Sequence, residues 1–345
     1  MTSTSRRRPL ASVALALLGL GLLVAPARAQ FTLGEQRAGT SSGTFLKIGI
    51  GARAAGLGEA FVAVANDPTA IYWNCAGLAS IQRQEATLSH IDWPAEIRFE
   101  HLSLVVPVRR LGGSLGFQLG VLSTSIEETS EQQPFGTGTT FVYSDLITGI
   151  AYARRWTDKL LVGVGAKYLH EDLGTQVGGP STNSFLFDIG SIYYLGLGSV
   201  RVATSLSNFS PELKPGGSYT SVGPDGIAGT ADDEVRSYDG FDAPTIFRYG
   251  VAFEPFERAS QRLTTSIEAN QPADNAQEVK AGLEWQWVGR LALRTGYNFN
   301  ADALKFSAGA GLMAQIGGVR GQLDYAYTDG GFLGPVNRLT LGVRF

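Results

Sequence analysis

The chain is poor in the residues on which redox, metal and nucleophilic chemistry usually rely. Among 345 residues there are one cysteine, three histidines and two methionines. A single cysteine excludes an intramolecular disulfide and any cysteine-built zinc site. Charged residues make up 17%, below the usual ~25%, and the formal net charge is −3. No basic field is available for nucleic acid, and a hydrophobic share of 44% excludes a disordered polyelectrolyte. Past the N-terminus no stretch offers an apolar run long enough for a membrane-spanning helix, which needs ~20 residues. Glycine, in contrast, is abundant: 44 residues, nearly twice the ordinary share of ~7%.

Residues 1–29 read as a secretory signal peptide. Arg6, Arg7 and Arg8 form a basic start, Leu10 to Val24 is an uncharged apolar run, and Ala27-Arg28-Ala29 is a small-x-small cleavage site. The apolar run falls short of the ~20 residues of a spanning helix. Residue 30 is Gln rather than Cys, so no lipid-anchored start is expected. Cleavage near Ala29 removes four arginines and no acid, taking the net charge from −3 to −7.

From residue 85 onward the sequence alternates. In Val279-Lys280-Ala281-Gly282-Leu283-Glu284-Trp285-Gln286-Trp287 the odd positions are apolar and the even ones polar or glycine. The same period of two runs through 247–254, 291–299, 319–327 and 338–345, which is the signature of strands. Fourteen such segments are expected, near 85–92, 98–107, 113–125, 142–155, 160–170, 183–195, 199–208, 245–255, 260–270, 277–287, 290–299, 303–314, 318–328 and 337–345. Many approach ten residues, the length a tilted strand needs to cross a bilayer, where ordinary strands have a mode of ~5–6. Aromatics cluster near strand ends at Trp285, Trp287, Tyr325, Tyr327 and Phe345, as an interfacial girdle requires. The opposite face carries Arg248, Arg262, Glu268, Lys280, Glu284, Arg294 and Arg320. Charges aimed into a soluble sandwich core would be costly; aimed into a wet lumen they are not, so the seven are expected to line water inside a barrel. Connections after even-numbered strands are short, as at 108–112, 156–159, 288–289 and 315–317, whereas 126–141, 171–182 and 209–244 are long. Short turns on one side and long loops on the other is the layout of an outer-membrane barrel.

Residues 43–78 do not alternate. The pieces Phe45-Leu46-Lys47-Ile48-Gly49, Gly51-Ala52-Arg53-Ala54-Ala55-Gly56-Leu57-Gly58, Ala60-Phe61-Val62-Ala63-Val64-Ala65 and Ala70-Ile71-Tyr72-Trp73-Asn74 resemble the N-terminal segment of the PorV/PorQ family of outer-membrane proteins, relatives of FadL-type channels. The family pattern continues Asn-Pro-Ala-Gly-Leu; here Cys75 stands in place of that Pro, between Asn74 and Ala76-Gly77-Leu78. The resemblance implies a fold class of all-β transmembrane type: a 14-stranded antiparallel outer-membrane β-barrel at 85–345, with residues 30–84 as an N-terminal hatch inside the lumen, where Arg53, Asn66, Asp67, Asn74 and Gly77 fall on the family motif. Small residues such as Gly51, Ala54 and Gly58 permit close packing there, and Arg53 and Glu59 have charges to pair with the wall. Phe345, ending the last alternating strand, looks like the signal read by the barrel-assembly machinery.

The remaining motifs carry little. Gly112-Gly113-Ser114-Leu115-Gly116 fits the nucleophile pattern G-x-S-x-G, but it opens a strand rather than a strand–turn–helix, and no spacing ties His90, His101 or His170 to Ser114. The three histidines are expected on strand surfaces. The glycines of 49–56 lack the βαβ context of a dinucleotide fingerprint and the lysine of a phosphate loop. Cys75 is expected to be a buried structural thiol. Asp225, Asp232, Asp233 and Glu234, spaced by glycine in the longest loop, offer hard oxygen ligands for Ca²⁺ without the spacing of an EF-hand; a solvated acidic turn is the plainer reading, and no other cofactor is expected. The resemblance implies a non-enzymatic accessory of protein secretion, partnering a type IX translocon and the C-terminal domains of exported proteins through loops 126–141 and 209–244, whose Ile126, Phe135, Phe141, Tyr219 and Tyr238 serve as apolar anchors. The alternative is a FadL-like passive conduit for hydrophobic small molecules. Either places the chain in outer-membrane lipid.

Overall fold

The computed structural model describes residues 37–345 apart from 130, 131, 225, 227 and 228, and for Ile316 only the backbone. The expected signal peptide and its cleavage site lie outside the described residues.

Fourteen strands close into one antiparallel barrel. In chain order they are β1 (Glu85–Trp93), β2 (Ile97–Val108), β3 (Gly113–Glu127), β4 (Thr140–Arg155), β5 (Leu160–Asp172), β6 (Ser181–Tyr194) and β7 (Arg201–Phe209). After a small hairpin of β8 (Ser218–Ser221) and β9 (Glu234–Ser237) come β10 (Ile246–Arg258), β11 (Gln261–Pro272), β12 (Glu278–Trp287), β13 (Leu291–Asn298), β14 (Phe306–Ile316), β15 (Val319–Thr328) and β16 (Val336–Arg344). Each barrel strand pairs with its neighbours in sequence, β7 pairs with β10 across the hairpin, and β1 pairs with β16 from Glu85↔Arg344 to Asp92↔Asn337. Closure leaves no unpaired edge, which is what allows a sheet to stand in an apolar solvent. The expected all-β barrel and its strand number are therefore borne out. The hairpin β8–β9 was not anticipated, because its residues do not alternate.

Period two sorts side chains to the two faces of the wall. Along β13, Leu293, Thr295 and Tyr297 face outward and Ala292, Arg294, Gly296 and Asn298 are buried within. The outer face is a belt of exposed apolar residues, among them Leu102, Phe117, Ile150, Val164, Ile189, Phe247, Leu283, Leu312 and Leu341. His90 and His170 are partly exposed outward, as expected. His101 is not: its position on β2 faces inward, where it is 2% exposed and hydrogen-bonded to Gln118.

The lumen is occupied by the chain itself. It is filled by residues 43–81, which form 3-10 turns at Thr44–Lys47 and Cys75–Ser80 and short helices at Ala52–Gly56 and Ala70–Trp73. Phe61, Trp73, Ile50, Leu57 and Leu78 are among the most buried side chains of the chain. Helices of four and five residues are not stable alone; the wall holds them. Contact is closest where glycine meets glycine: a Cβ on Gly296 would lie 2.0 Å from the nitrogen of Gly58, itself at φ +64°. Gly296→Val should therefore displace the hatch and lower stability by about 1–3 kcal/mol or more, read as a drop in the denaturant midpoint of the folded barrel.

Candidate functional site

The hatch is fastened by buried ion pairs that reach from the N-terminal segment to the far end of the chain. Arg53, in the helix Ala52–Gly56, meets Glu284 of β12 as a bidentate pair, Nε–Oε2 at 2.8 Å and Nη2–Oε1 at 2.9 Å. Its Nη1 donates to Asn66 at 2.6 Å and to Asp67 at 3.0 Å. Glu284 also accepts from Arg294 Nε at 2.7 Å, and Arg294 Nη1 reaches Asp324 at 2.6 Å. Five groups thus alternate in sign, Asp67–Arg53–Glu284–Arg294–Asp324. Burial opposes the charge on Arg53, but Glu284 and Asp67 outweigh it and hold the guanidinium above its ordinary pKa.

A second cluster lies one turn on. Glu59 bonds Lys280 at 3.0 Å and Arg338 at 3.1 Å; burial disfavours its charge, and these two cations overcome that and hold it below the usual carboxylate range. The backbone N–H of Val62 donates to Glu268 at 2.6 Å, and Arg201 donates to the carbonyl of Ala63 at 2.6 Å. Arg248 donates to Ser207 at 2.9 Å and lies over the rings of Tyr72 and Trp73, 5.6 and 5.5 Å from their centroids. Asn74 bridges hatch and wall, donating to the carbonyls of Val62 and Ser191 at 3.1 Å and accepting from Ala76 N–H. Gly77 packs on the hatch backbone, where a Cβ would lie 2.1 Å from the carbonyl oxygen of Ala65.

All seven charges expected to face inward do so, but five of them do not face water. Arg248, Glu268, Lys280, Glu284 and Arg294 are buried in the contacts just described. Arg262, bonded to Gln286 at 2.7 Å, and Arg320 line a cavity at the short-turn end. Arg201, Asp324 and Arg338 join these contacts as well; nothing in their residue type marks them as hatch partners, although the alternation of their strands places them inside.

The hatch leaves a cavity on each side. Toward the short turns lies one of about 450 Å³, lined by Arg53, Asp67, Glu85, Arg262, Arg320 and Asp324. Toward the long loops lies one of about 510 Å³, lined by Phe45, Ile48, Tyr72, Trp73, Trp93, Tyr143 and Leu304 together with Lys47, Asp145, Arg248 and Lys280. The second falls within the ~300–1,000 Å³ range of ligand pockets and has their mixed lining.

Other singled-out residues lie elsewhere. Ser114 is buried and donates to the carbonyl of Ile81 at 3.3 Å. In the longest loop, Asp225 is outside the described residues. Asp233 accepts from the N–H groups of Gly223 and Gly229, Asp232 accepts from Thr230, and Glu234 pairs with Arg236. Among the described residues no group of three His, Cys, Asp or Glu is placed to hold a metal. Phe345 is exposed on the outer face, its N–H bonded to the carbonyl of Gln84 at 3.0 Å.

Residues 23–154 match an uncharacterised protein family (UPF0164). No curated protein matches the chain by sequence. The fold is similar to that of solved hydrocarbon channels: the CymD monoaromatic hydrocarbon channel (14% identity, 86% of this chain and 97% of that one, TM-score 0.54), the Ralstonia pickettii toluene transporter TbuX (11%, 86% and 97%, 0.53) and the Pseudomonas putida toluene transporter TodX (13%, 86% and 97%, 0.52). At such identities the likeness is one of fold.

Two outcomes follow from the fastening. Arg53→Met takes one of its two arginines from Glu284 and, among the described residues, the only cation from Asp67, and should cost about 1.5–3 kcal/mol, measured as a fall in the unfolding midpoint against denaturant. Cys75 is 2% exposed and burial pushes its thiol up to about 12. At pH 8 its reaction with a maleimide should be slower than in the unfolded chain by about a thousandfold, and Arg53→Met should shorten that protection.

Proposed function

We propose that this protein is a channel of the bacterial outer membrane, similar in type to the FadL-like hydrocarbon channels, which admits small, mainly apolar molecules through a plugged barrel. The observation that carries the reading is the cavity of about 510 Å³ between the hatch and the long-loop end, with its aromatic lining. An aromatic cleft facing the mouth of a barrel is a site for a small ligand rather than a passage for ions, because the hatch and its ion pairs occupy the path beyond it. The apolar outer belt, the strand lengths and the short-turn and long-loop ends support a membrane setting in which the short turns face the periplasm and the long loops the exterior. The signal sequence supports export, with cleavage near Ala29 and insertion by the barrel-assembly machinery at Phe345.

Transit on this reading requires hatch residues to move while the barrel stays closed, and that is where the buried ion pairs matter. Glu284 and Glu59 each hold two cations, so each can release one partner and keep another, which costs less than stranding a buried charge. The secretion-accessory reading rests on the N-terminal motif alone. Ile126, Phe135 and Tyr219 are exposed on the long loops, which by itself does not favour a protein partner over solvent.

Uptake of a small aromatic by a bacterial host that lacks other routes for it tests the channel. Expression should raise uptake about tenfold or more over the empty host, and Leu122→Trp, which fills the cavity wall, should remove most of that gain. Uptake equal to the empty host, with a secretion translocon recovered on affinity purification from detergent, would overturn it.

A further inference from the structure

Each positive group lining the long-loop cavity has a carboxylate within 4.0 Å, although the Nε of Arg248 makes no hydrogen bond. Lys47 pairs with Asp274 at 2.6 Å, and Lys280 pairs with Glu59 and Glu278, both at 3.0 Å. Arg248 has Ser207 and, at 4.0 Å, Glu268. One negative group in the same wall is not answered. Asp145 of β4 is 2% exposed and lines the cavity. One of its oxygens accepts from the hydroxyl of Tyr143 at 3.0 Å, and the other has no hydrogen-bond partner.

The register makes the position stranger. Asp145 stands directly opposite Glu171 on β5, and Glu171 is 3% exposed. Like charges facing each other across a strand pair destabilise the sheet. The charged groups that act on Asp145 are Glu171 and Asp172, acids both. Glu171 is employed by the hatch: Gly43 N–H donates to it at 2.9 Å and the Ser42 hydroxyl at 3.2 Å. Those two neutral donors leave the pair without a cation among the described residues, and an ionisable group buried inside a membrane barrel ordinarily pairs. Among the described residues no third ligand group assembles for a metal ion. The missing counter-charge has room to arrive from the cavity, where Leu122 stands opposite Asp145 across the strands, Tyr143 is hydrogen-bonded to it, and Phe45 lines the same space.

We propose that the long-loop cavity is a site for a small organic cation, a protonated primary amine on an aromatic or short apolar body, with the ammonium held at Asp145 beside Glu171 and the body against Phe45, Leu122 and Tyr143. Carboxylate and ring together are how proteins recognise ammonium groups. The site deepens the channel reading and rests on it: it says which small molecules the channel prefers. A wholly apolar hydrocarbon would leave Asp145 unanswered, and an anion would add a third negative charge to the pair.

Calorimetric titration of the detergent-solubilised full mature chain at pH 7 distinguishes these, with protein-free micelles as reference. The probes are 2-phenylethylamine, ethylbenzene and 3-phenylpropionate, which share the ring and differ in the charge of the head. The amine should bind at least about tenfold more tightly than either of the others. Asp145→Asn should reduce the ratio of amine to ethylbenzene affinity to near one, and Glu171→Gln should reduce it in part. Folding of each variant is read from the mobility of the unheated barrel on a gel, and if Asp145→Asn does not fold, the wild-type ratios and Glu171→Gln decide. Ethylbenzene binding as well as the amine overturns the amine site and leaves the channel standing. Tightest binding of 3-phenylpropionate overturns it in favour of an anion site. Failure of all three probes to bind overturns the site and the channel together.

Discussion

The structure depends on the bidentate contact between Arg53 and Glu284. A closed barrel of fourteen strands satisfies its backbone and presents an apolar exterior, but it leaves an interior wider than its own side chains can fill. Residues 43–81 fill it, and they are too short in helix and too rich in small residues to fold by themselves. What fixes them is a set of charges whose partners exist only when the wall is complete. Glu284 is wholly buried between two arginines, one from the hatch and one from the wall. Such an arrangement is less a source of net stability than of specificity, since desolvation offsets much of the attraction; a hatch turned by one residue would part Arg53 from Glu284 and Glu59 from Lys280 and Arg338.

Two chemistries therefore coexist inside one cylinder. Toward the short turns the alternating cluster from Asp67 to Asp324 borders a polar cavity. Toward the long loops Phe45, Tyr72, Trp73 and Tyr143 border an aromatic one. Arg248, lying over Tyr72 and Trp73, stands on the border: it is a cation that the hatch covers with rings. The division between them is made by hatch side chains rather than by the wall, so it is the part of the molecule in which small rearrangements change what is connected to what.

Much of the wall was legible in the sequence, because a strand of a barrel repeats a single local rule. Lys280, Glu284 and Arg294 could be placed inside from parity alone, and so could the outward Leu283 and Tyr297. The hatch was legible as a break in that rule and as a family motif, but its partners were not. Arg53 and Glu284 are 231 positions apart, and nothing local to either says that they meet. The same limit explains why inward charges were expected to face water: alternation reports which side a residue is on, and says nothing about what stands there. His101 went astray for a simpler reason, since its neighbours Glu100 and Leu102 are both outward and the polar type alone did not decide its face. The hairpin β8–β9 lies in a glycine-rich loop without any period to read.

The seam at which the cylinder shuts joins β1 to β16, and the residues of that last strand also hold the first ones. Thr340 accepts from the N–H of Ala52, and Arg338 reaches Glu59 across 279 positions of chain. Contacts of such sequence separation are the slowest kind to form, because the intervening chain must be gathered before any of them is rewarded. The hatch thus waits for the last barrel strand, and until that strand is in place its apolar side chains have no permanent shelter.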